Sequence, residues 1–300
     1  MSDHRPPTID PVAAARWQQR PQSASAWLHE EVARRMEQRL DWIVRQPKTW
    51  LHWEPVRGGL TAQALLARRY PRARAMVHAA VAPERQLALQ AAAAPWWQPR
   101  RWLAALGPPP APQAADLLWA NMTLHMAADP QALIRRWHEA LAVDGFLMFS
   151  CFGPDTLREL RGLYQALGWP APAHEFTDMH DWGDMLVAAG FAEPVMDMER
   201  IELTFETPQR LLQELRELGR NLHPARFAGL RGRGWRERLQ QALRQLADPA
   251  QDGRLKLSFE IIYGHAFRPP GRIAVGGETR FSVEELRSSL TKNKIRRAGD

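Results

Sequence analysis

The stretch from Asp116 to Asp155 constrains the fold more than any other part of the chain. It reads Asp116-Leu-Leu-Trp-Ala-Asn121-Met-Thr-Leu-His125, then a helical pattern, then Gly145-Phe-Leu-Met-Phe-Ser-Cys-Phe-Gly153-Pro-Asp155. Residues 117–120 and 146–150 are short and continuously apolar, the pattern of parallel strands covered on both faces. Between them a helix is expected over 130–141, with Asp129 as its N-cap and Pro130 at its first position. Strand, helix, strand in that order predicts a crossover in a parallel sheet.

The same alternation extends to either side. Trp27, Leu28, Val32, Met36, Leu40 and Ile43 recur at helical spacing, with Glu30 and Glu31 early and Arg34, Arg35 and Arg39 late, an arrangement matched to the helix dipole. Residues 49–53 form a short apolar strand candidate, followed by a turn at Pro55, Gly58 and Gly59 and a helix over 60–69. A weak second strand is expected at 75–80, then an alanine-rich helix to residue 94. Downstream the patterns predict helices at 156–167 and 178–189, the second ended by Gly190. A strand at 195–205, arginine-rich helices near 208–218 and 235–246, and a long alternating edge-type strand at 255–267 complete the series. The order predicts an α/β fold, a doubly wound and mostly parallel sheet closed by an antiparallel C-terminal strand. Residues 1–23 read as an N-terminal segment and 24–268 as one domain with a helical insert at about 208–250. Residues 269–300 read as a basic, partly disordered tail with a short helix at 283–290, and 95–112 as irregular. Trp27, Trp50 and Trp53 are expected to cluster around the first helix and strand.

At 45% hydrophobic and 24% charged, the composition is that of an ordinary globular protein. No apolar run reaches the ~18 residues that a membrane span needs. The single cysteine, Cys151, follows a buried strand and excludes an internal disulfide. With a polar N-terminus, this makes a cytoplasmic location the expectation. The formal charge is +7, and residues 55–115 hold eight arginines against one acid, Glu84. A second basic stretch runs over 216–244. Such surfaces attract acidic partners, although with only four lysines in the chain arginine is also its default surface cation. The arginines lack the interleaved aromatics of a single-strand nucleic-acid platform, so nucleic acid is not the expected partner. Asp178, His180, Asp181 and Asp184 splay around a helix rather than converge, and no metal site is expected from them.

In this order the chain resembles the class I S-adenosylmethionine-dependent methyltransferases, and within them the malonyl-acyl-carrier-protein O-methyltransferase family of biotin synthesis. The resemblance is carried by Glu31-Val-Ala-Arg-Arg-Met36, by Asp116 through Asn121 to His125, and by Gly145 through Ser150 to Leu157. It continues in Asp178-Met-His-Asp-Trp-Gly-Asp184, Ala189-Gly-Phe191, Leu212 to Gly219 and Tyr263-Gly-His265, covering roughly residues 25–268. It implies methyl transfer from S-adenosylmethionine to the free carboxylate of malonyl-acyl carrier protein. The partner implied is that carrier or another acidic protein.

The family's first strand ends in an acid followed by three glycines. Aligned on Leu60-Thr61, this chain has His52 at the acid, Glu54 and Val56 at two glycines, and Gly58 at the third. Ala80 stands where an acid at the end of the second strand would accept ribose hydroxyls, and the family's N-terminal tyrosine falls near Gln22. These departures predict weakened cofactor binding, through a β-branched side chain against the ligand and a carboxylate against its carboxylate. The resemblance leaves Gly58 and Asn121 as cofactor-site residues, with Asn121 alternatively a turn residue and Asp116 structural. For the substrate carboxylate it points to His125, alternatively a polar strand-end cap, and to Arg216, with Arg220 as the fallback. Two readings stay open: the methyltransferase, and a non-catalytic relative that binds acyl carrier protein or another acidic partner.

Overall fold

The computed structural model describes residues 9–91, 112–227, 229 and 231–270. Every element lies in the unit Met1–Pro269; of the second unit, Pro270–Asp300, only Pro270 is among the described residues. Most of the irregular stretch expected at 95–112 and most of the tail expected from 269 therefore lie outside them.

The helices are α1 (Pro11–Gln19), α2 (Trp27–Arg39), α3 (Pro55–Gly58), α4 (Ala62–Arg69), α5 (Ala82–Ala91), α6 (Pro130–Ala140), α7 (Arg158–Ala166), α8 (Met179–Ala188), α9 (Pro208–Leu218) and α10 (Arg233–Leu243). The strands are β1 (Thr49–Trp53), β2 (Arg74–His78), β3 (Ala115–Ala120), β4 (Leu141–Phe152), β5 (Ala192–Phe205), β6 (Ala247–Asp248) and β7 (Arg254–Phe267). Local chemistry explains several boundaries. The Asp129 carboxylate accepts from Ala132 N at 2.8 Å and that of Asp178 from His180 N at 2.7 Å. Each satisfies a donor that the first turn leaves open, worth about 1 kcal/mol. Gly190 ends α8 at φ 96°, a left-handed conformation in which glycine carries no Cβ penalty.

The sheet runs β2-β1-β3-β4-β7-β5, with β6 paired to β7. β2, β1, β3 and β4 are parallel, and β7 is antiparallel to both β4 and β5. Neighbours share a face in register: Leu51 lies beside Met76 and Leu118, and Leu118 beside Leu147. The two-residue period then makes two cores. Trp50, Leu117, Trp119, Phe146 and Met148 pack on one face with α2 and α4. Leu51, Leu118, Ala120, Leu147 and Phe149 pack on the other with α6 and α8. Each large side chain so buried contributes about 1.5–3 kcal/mol.

Two expectations need correction. The C-terminal strand is not an edge strand: β7 lies inside the sheet, and the exposed, alternating β5 takes the edge. Trp27 is 56% exposed. Trp50 and Trp53, three residues apart on a strand, necessarily face opposite cores, so the expected tryptophan cluster does not form. Residues 1–23, which carried no expected element, hold α1, capped by the Asp10 carboxylate. No helix among the described residues is long and apolar enough to cross a membrane.

Candidate active site

Two cavities open at the carboxyl ends of the parallel strands, where open α/β sheets bind ligands. The first, of about 130 Å³, is lined by Trp53, Glu54, His78, Ala80, Thr123 and Arg136 among others; the second, of about 100 Å³, by His125, Phe152, His174, Phe176 and Arg220 among others. Met126 and Leu218 line both, so the cavities share a wall.

The first cavity is built where β1 stops. Glu54 takes left-handed backbone angles, φ 49° and ψ 57°, and Pro55 begins the single turn of α3. Glu54 N donates to His78 O at 2.7 Å, and its Oε1 accepts from Ala80 N at 2.8 Å. Its Oε2 is buried with no partner among the described residues. Burial raises this carboxyl to about 7, against the Ala80 hydrogen bond and the Arg57 charge, which pull it down. His29 Nδ1 lies 2.7 Å from Arg57 O. A carbonyl can only accept, so Nδ1 carries the proton. Desolvation holds this ring neutral, at about 4, leaving Nε2 a bare acceptor without a partner. Thr123 Oγ1 is also buried and unpartnered. Three polar atoms of residues lining one cleft, all without a partner among the described residues, suit a ligand that brings N–H and O–H donors.

The floor beneath is fixed by a buried ion pair. Arg57 donates to both Glu84 oxygens, at 3.0 and 2.8 Å, and to the carbonyls of Gln18 and Arg20 at 3.0 and 2.9 Å. Gln22 N donates to Glu84 Oε1 at 2.9 Å. These bonds hold α1 and the residues that follow it beside the cavity, which Trp17 and Gln22 line.

The second cavity presents a positioned imidazole. Phe152 N donates to His125 Nδ1 at 3.4 Å, which places the ring proton on Nε2, a donor with no partner among the described residues. Burial, with the fields of His29 and His174, keeps His125 neutral by lowering its pKa well below the ordinary value. Phe152 at 4.5 Å and Phe176 at 5.7 Å wedge the ring. His174 Nε2 donates to His125 O at 2.9 Å. Arg220, at the C-terminal end of α9, gives Nη1 to Arg216 O and Gly219 O, both at 2.7 Å.

No family model matches the chain. The malonyl-acyl-carrier-protein O-methyltransferase of Laribacter hongkongensis is 38% identical over 259 residues, covering 83% of this chain and 85% of that one. That of Gallionella capsiferriformans is 37% identical over 275 residues, covering 87% and 92%. This chain belongs to the malonyl-acyl-carrier-protein O-methyltransferase family. Among solved structures, a Bacillus halodurans protein assigned as a methyltransferase aligns over 80% of this chain and 100% of its own, at 13% identity and a TM-score of 0.51. The fold is that of the class I methyltransferases.

The structure separates the residues that the family pattern singles out. Glu54 and Ala80 line the first cavity and His125 the second. Arg216 is exposed and lines neither; Arg220 lines the second. Asn121 and Gly58 line neither. Asn121 is fully buried, with Nδ2 donating to His29 O at 2.8 Å and to Gly58 O, and Oδ1 accepting from Ser150 Oγ at 2.6 Å. It clips α2, α3 and β4 together, and a Cβ at residue 58 would overlap its carbonyl oxygen. Val56 is buried and lines neither cavity. His52 is buried between β2 and β3 with both ring nitrogens unpartnered among the described residues, and desolvation lowers it to about 3. Asp116 accepts from Lys48 N and Thr49 N, both at 2.9 Å, which ties the start of β1 to β3. Cys151 is core, its thiol pushed up by burial. His29, Thr123 and His174 carried no sequence signal, since each becomes part of a site only through long-range packing.

Proposed function

We propose that the protein transfers a methyl group from S-adenosylmethionine to the free carboxylate of a malonyl group carried on an acyl carrier protein. The observation that carries the reading is the wall of Met126 and Leu218 common to both cavities, because group transfer requires two ligand sites to adjoin.

The residues of the first cavity fit the methyl donor. Its ammonium and ribose hydroxyls are hydrogen-bond donors, and His29 Nε2, Thr123 Oγ1 and Glu54 Oε2 wait without partners. The bulky side chains at the glycine positions leave the cleft open: Val56 packs inward and Glu54 lies along the wall toward Ala80. When bound, S-adenosylmethionine supplies a methyl group made electrophilic by its sulfonium.

A carboxylate is already a nucleophile, so the protein need not supply a base; its task is alignment. In the second cavity the His125 Nε2 proton is available to one carboxylate oxygen, and the two aromatic rings prevent the imidazole from turning away. Arg220 keeps Nε and Nη2 for the same carboxylate, a pairing of planar groups that arginine favours. Arg216, Arg233, Arg236 and Arg244 on and after α9 and α10 are exposed and have no carboxylate partner among the described residues. They offer an acidic carrier a docking field. The open cleft and the oriented His125 favour the enzyme over a non-catalytic binding module.

The test supplies methyl-labelled S-adenosylmethionine with malonyl- and acetyl-loaded carrier protein at low and high salt. Label on the malonyl form alone is expected, at a rate that falls as salt screens the arginines. No label on the malonyl carrier at either salt would sink the proposal.

A further inference from the structure

We infer that Glu54 receives the ribose hydroxyls of the methyl donor, standing in for the acid absent at Ala80; the inference rests on the first cavity being the donor's site. Nucleotide-binding sheets of this design place an acidic side chain at the end of the second strand to accept from the ribose. Here β2 ends at His78 and two alanines, Ala79 and Ala80, follow, so that position offers no side-chain acceptor.

The carboxylate arrives from the neighbouring strand instead. Glu54 belongs to the end of β1, yet its Oε1 rests on Ala80 N at 2.8 Å, so the charged group sits at the tip of β2. The residue is only 9% exposed and lines the cavity, and its Oε2 has no donor among the described residues. Among the described residues no arginine or lysine forms an ion pair with it. His78 Nε2 is 4.0 Å away, on a ring held neutral by burial and stacked on Trp53 at 3.8 Å. Arg57 is consumed by Glu84, and Arg136 is drawn over the Trp53 ring at 5.1 Å. A buried carboxylate with one oxygen unpaired, on a left-handed non-glycine residue, is unfavourable twice over. Both features coincide at the mouth of one cleft, and a ligand with two adjacent hydroxyls relieves the first. The loss at Ala80 and the gain at Glu54 thus become one change: the acid has moved from the second strand to the first.

Calorimetric titration of the full chain with S-adenosylhomocysteine, and with its 2′-deoxy analogue, tests this without relying on turnover. Wild type is expected to prefer the ribose ligand. Glu54→Gln should bind it roughly ten- to a hundredfold more weakly, the loss expected for a hydrogen bond to a charged group, and should no longer discriminate between the two. Equal affinity of the wild type for both ligands overturns the inference, whatever the variant does. So does a folded Glu54→Gln protein, verified by its melting curve, that keeps wild-type affinity and preference. In either case the donor-site reading survives. If wild type binds neither ligand at millimolar concentration, that reading fails and takes the Glu54 assignment with it.

Discussion

Replacing Glu54 with glutamine removes a charge that the fold disfavours while leaving the acceptor for Ala80 N in place. The structure sets the size and sign of the effect. An ordinary glutamate ionises near 4.5 and this one at about 7, because burial outweighs the Ala80 hydrogen bond and the Arg57 and Arg136 charges. Below 4.5 the group is neutral in both folded and unfolded chains and costs nothing. Between the two values the unfolded chain releases the proton and the folded one retains it, so stability falls as pH rises. The loss is less than about 1 kcal/mol at pH 5 and about 3 kcal/mol at pH 8. Glutamine does not titrate, and any cost of fitting its amide is the same at both pH values. Urea denaturation of wild type and Glu54→Gln at pH 5 and pH 8 should therefore show the variant gaining roughly 2–3 kcal/mol relative to wild type on going to the higher pH. A stability difference that stays constant between the two pH values, within about 0.5 kcal/mol, would refute the claim that Glu54 is a buried, uncompensated acid.

Asn121→Ala removes the side-chain donor to His29 O and Gly58 O and the acceptor of the Ser150 hydroxyl in the interior, and should lower stability by roughly 2–4 kcal/mol in the same assay. Glu84→Gln breaks an ion pair whose acid is 1% exposed, a loss of about 3–5 kcal/mol. It should also let a protease cut between Pro11 and Gln22 faster than in wild type, since Arg57 then no longer holds that segment through a fixed pair; an unchanged cleavage rate would count against this role. His125→Leu should reduce kcat/KM for the malonyl carrier roughly tenfold to a hundredfold while S-adenosylhomocysteine affinity stays at the wild-type value. Joint loss of both would mean that the two cavities are not separate sites.

Helix ends and the central strands were legible because their causes are local. Asp129, Pro130, Asp178 and Gly190 act within a turn of their own position, and the apolar runs of β3 and β4 are unbroken. The rank of β7 in the sheet was not legible. Alternation along a strand reports how its two faces are covered, whereas a neighbour on either side is decided by β4 and β5, which lie far away in the chain. Glu54 shows the same division. Residue order reveals a carboxylate at a glycine position, which by itself predicts repulsion of the ligand. The direction of that side chain depends on a backbone amide at Ala80, brought within 2.8 Å by the pairing of β1 with β2. Amino-acid order alone determined the family, the strand–helix alternation and the loss of the usual cofactor residues. Only tertiary structure decided which polar atoms were left open at the strand ends, because an unpaired group is defined by everything that fails to reach it.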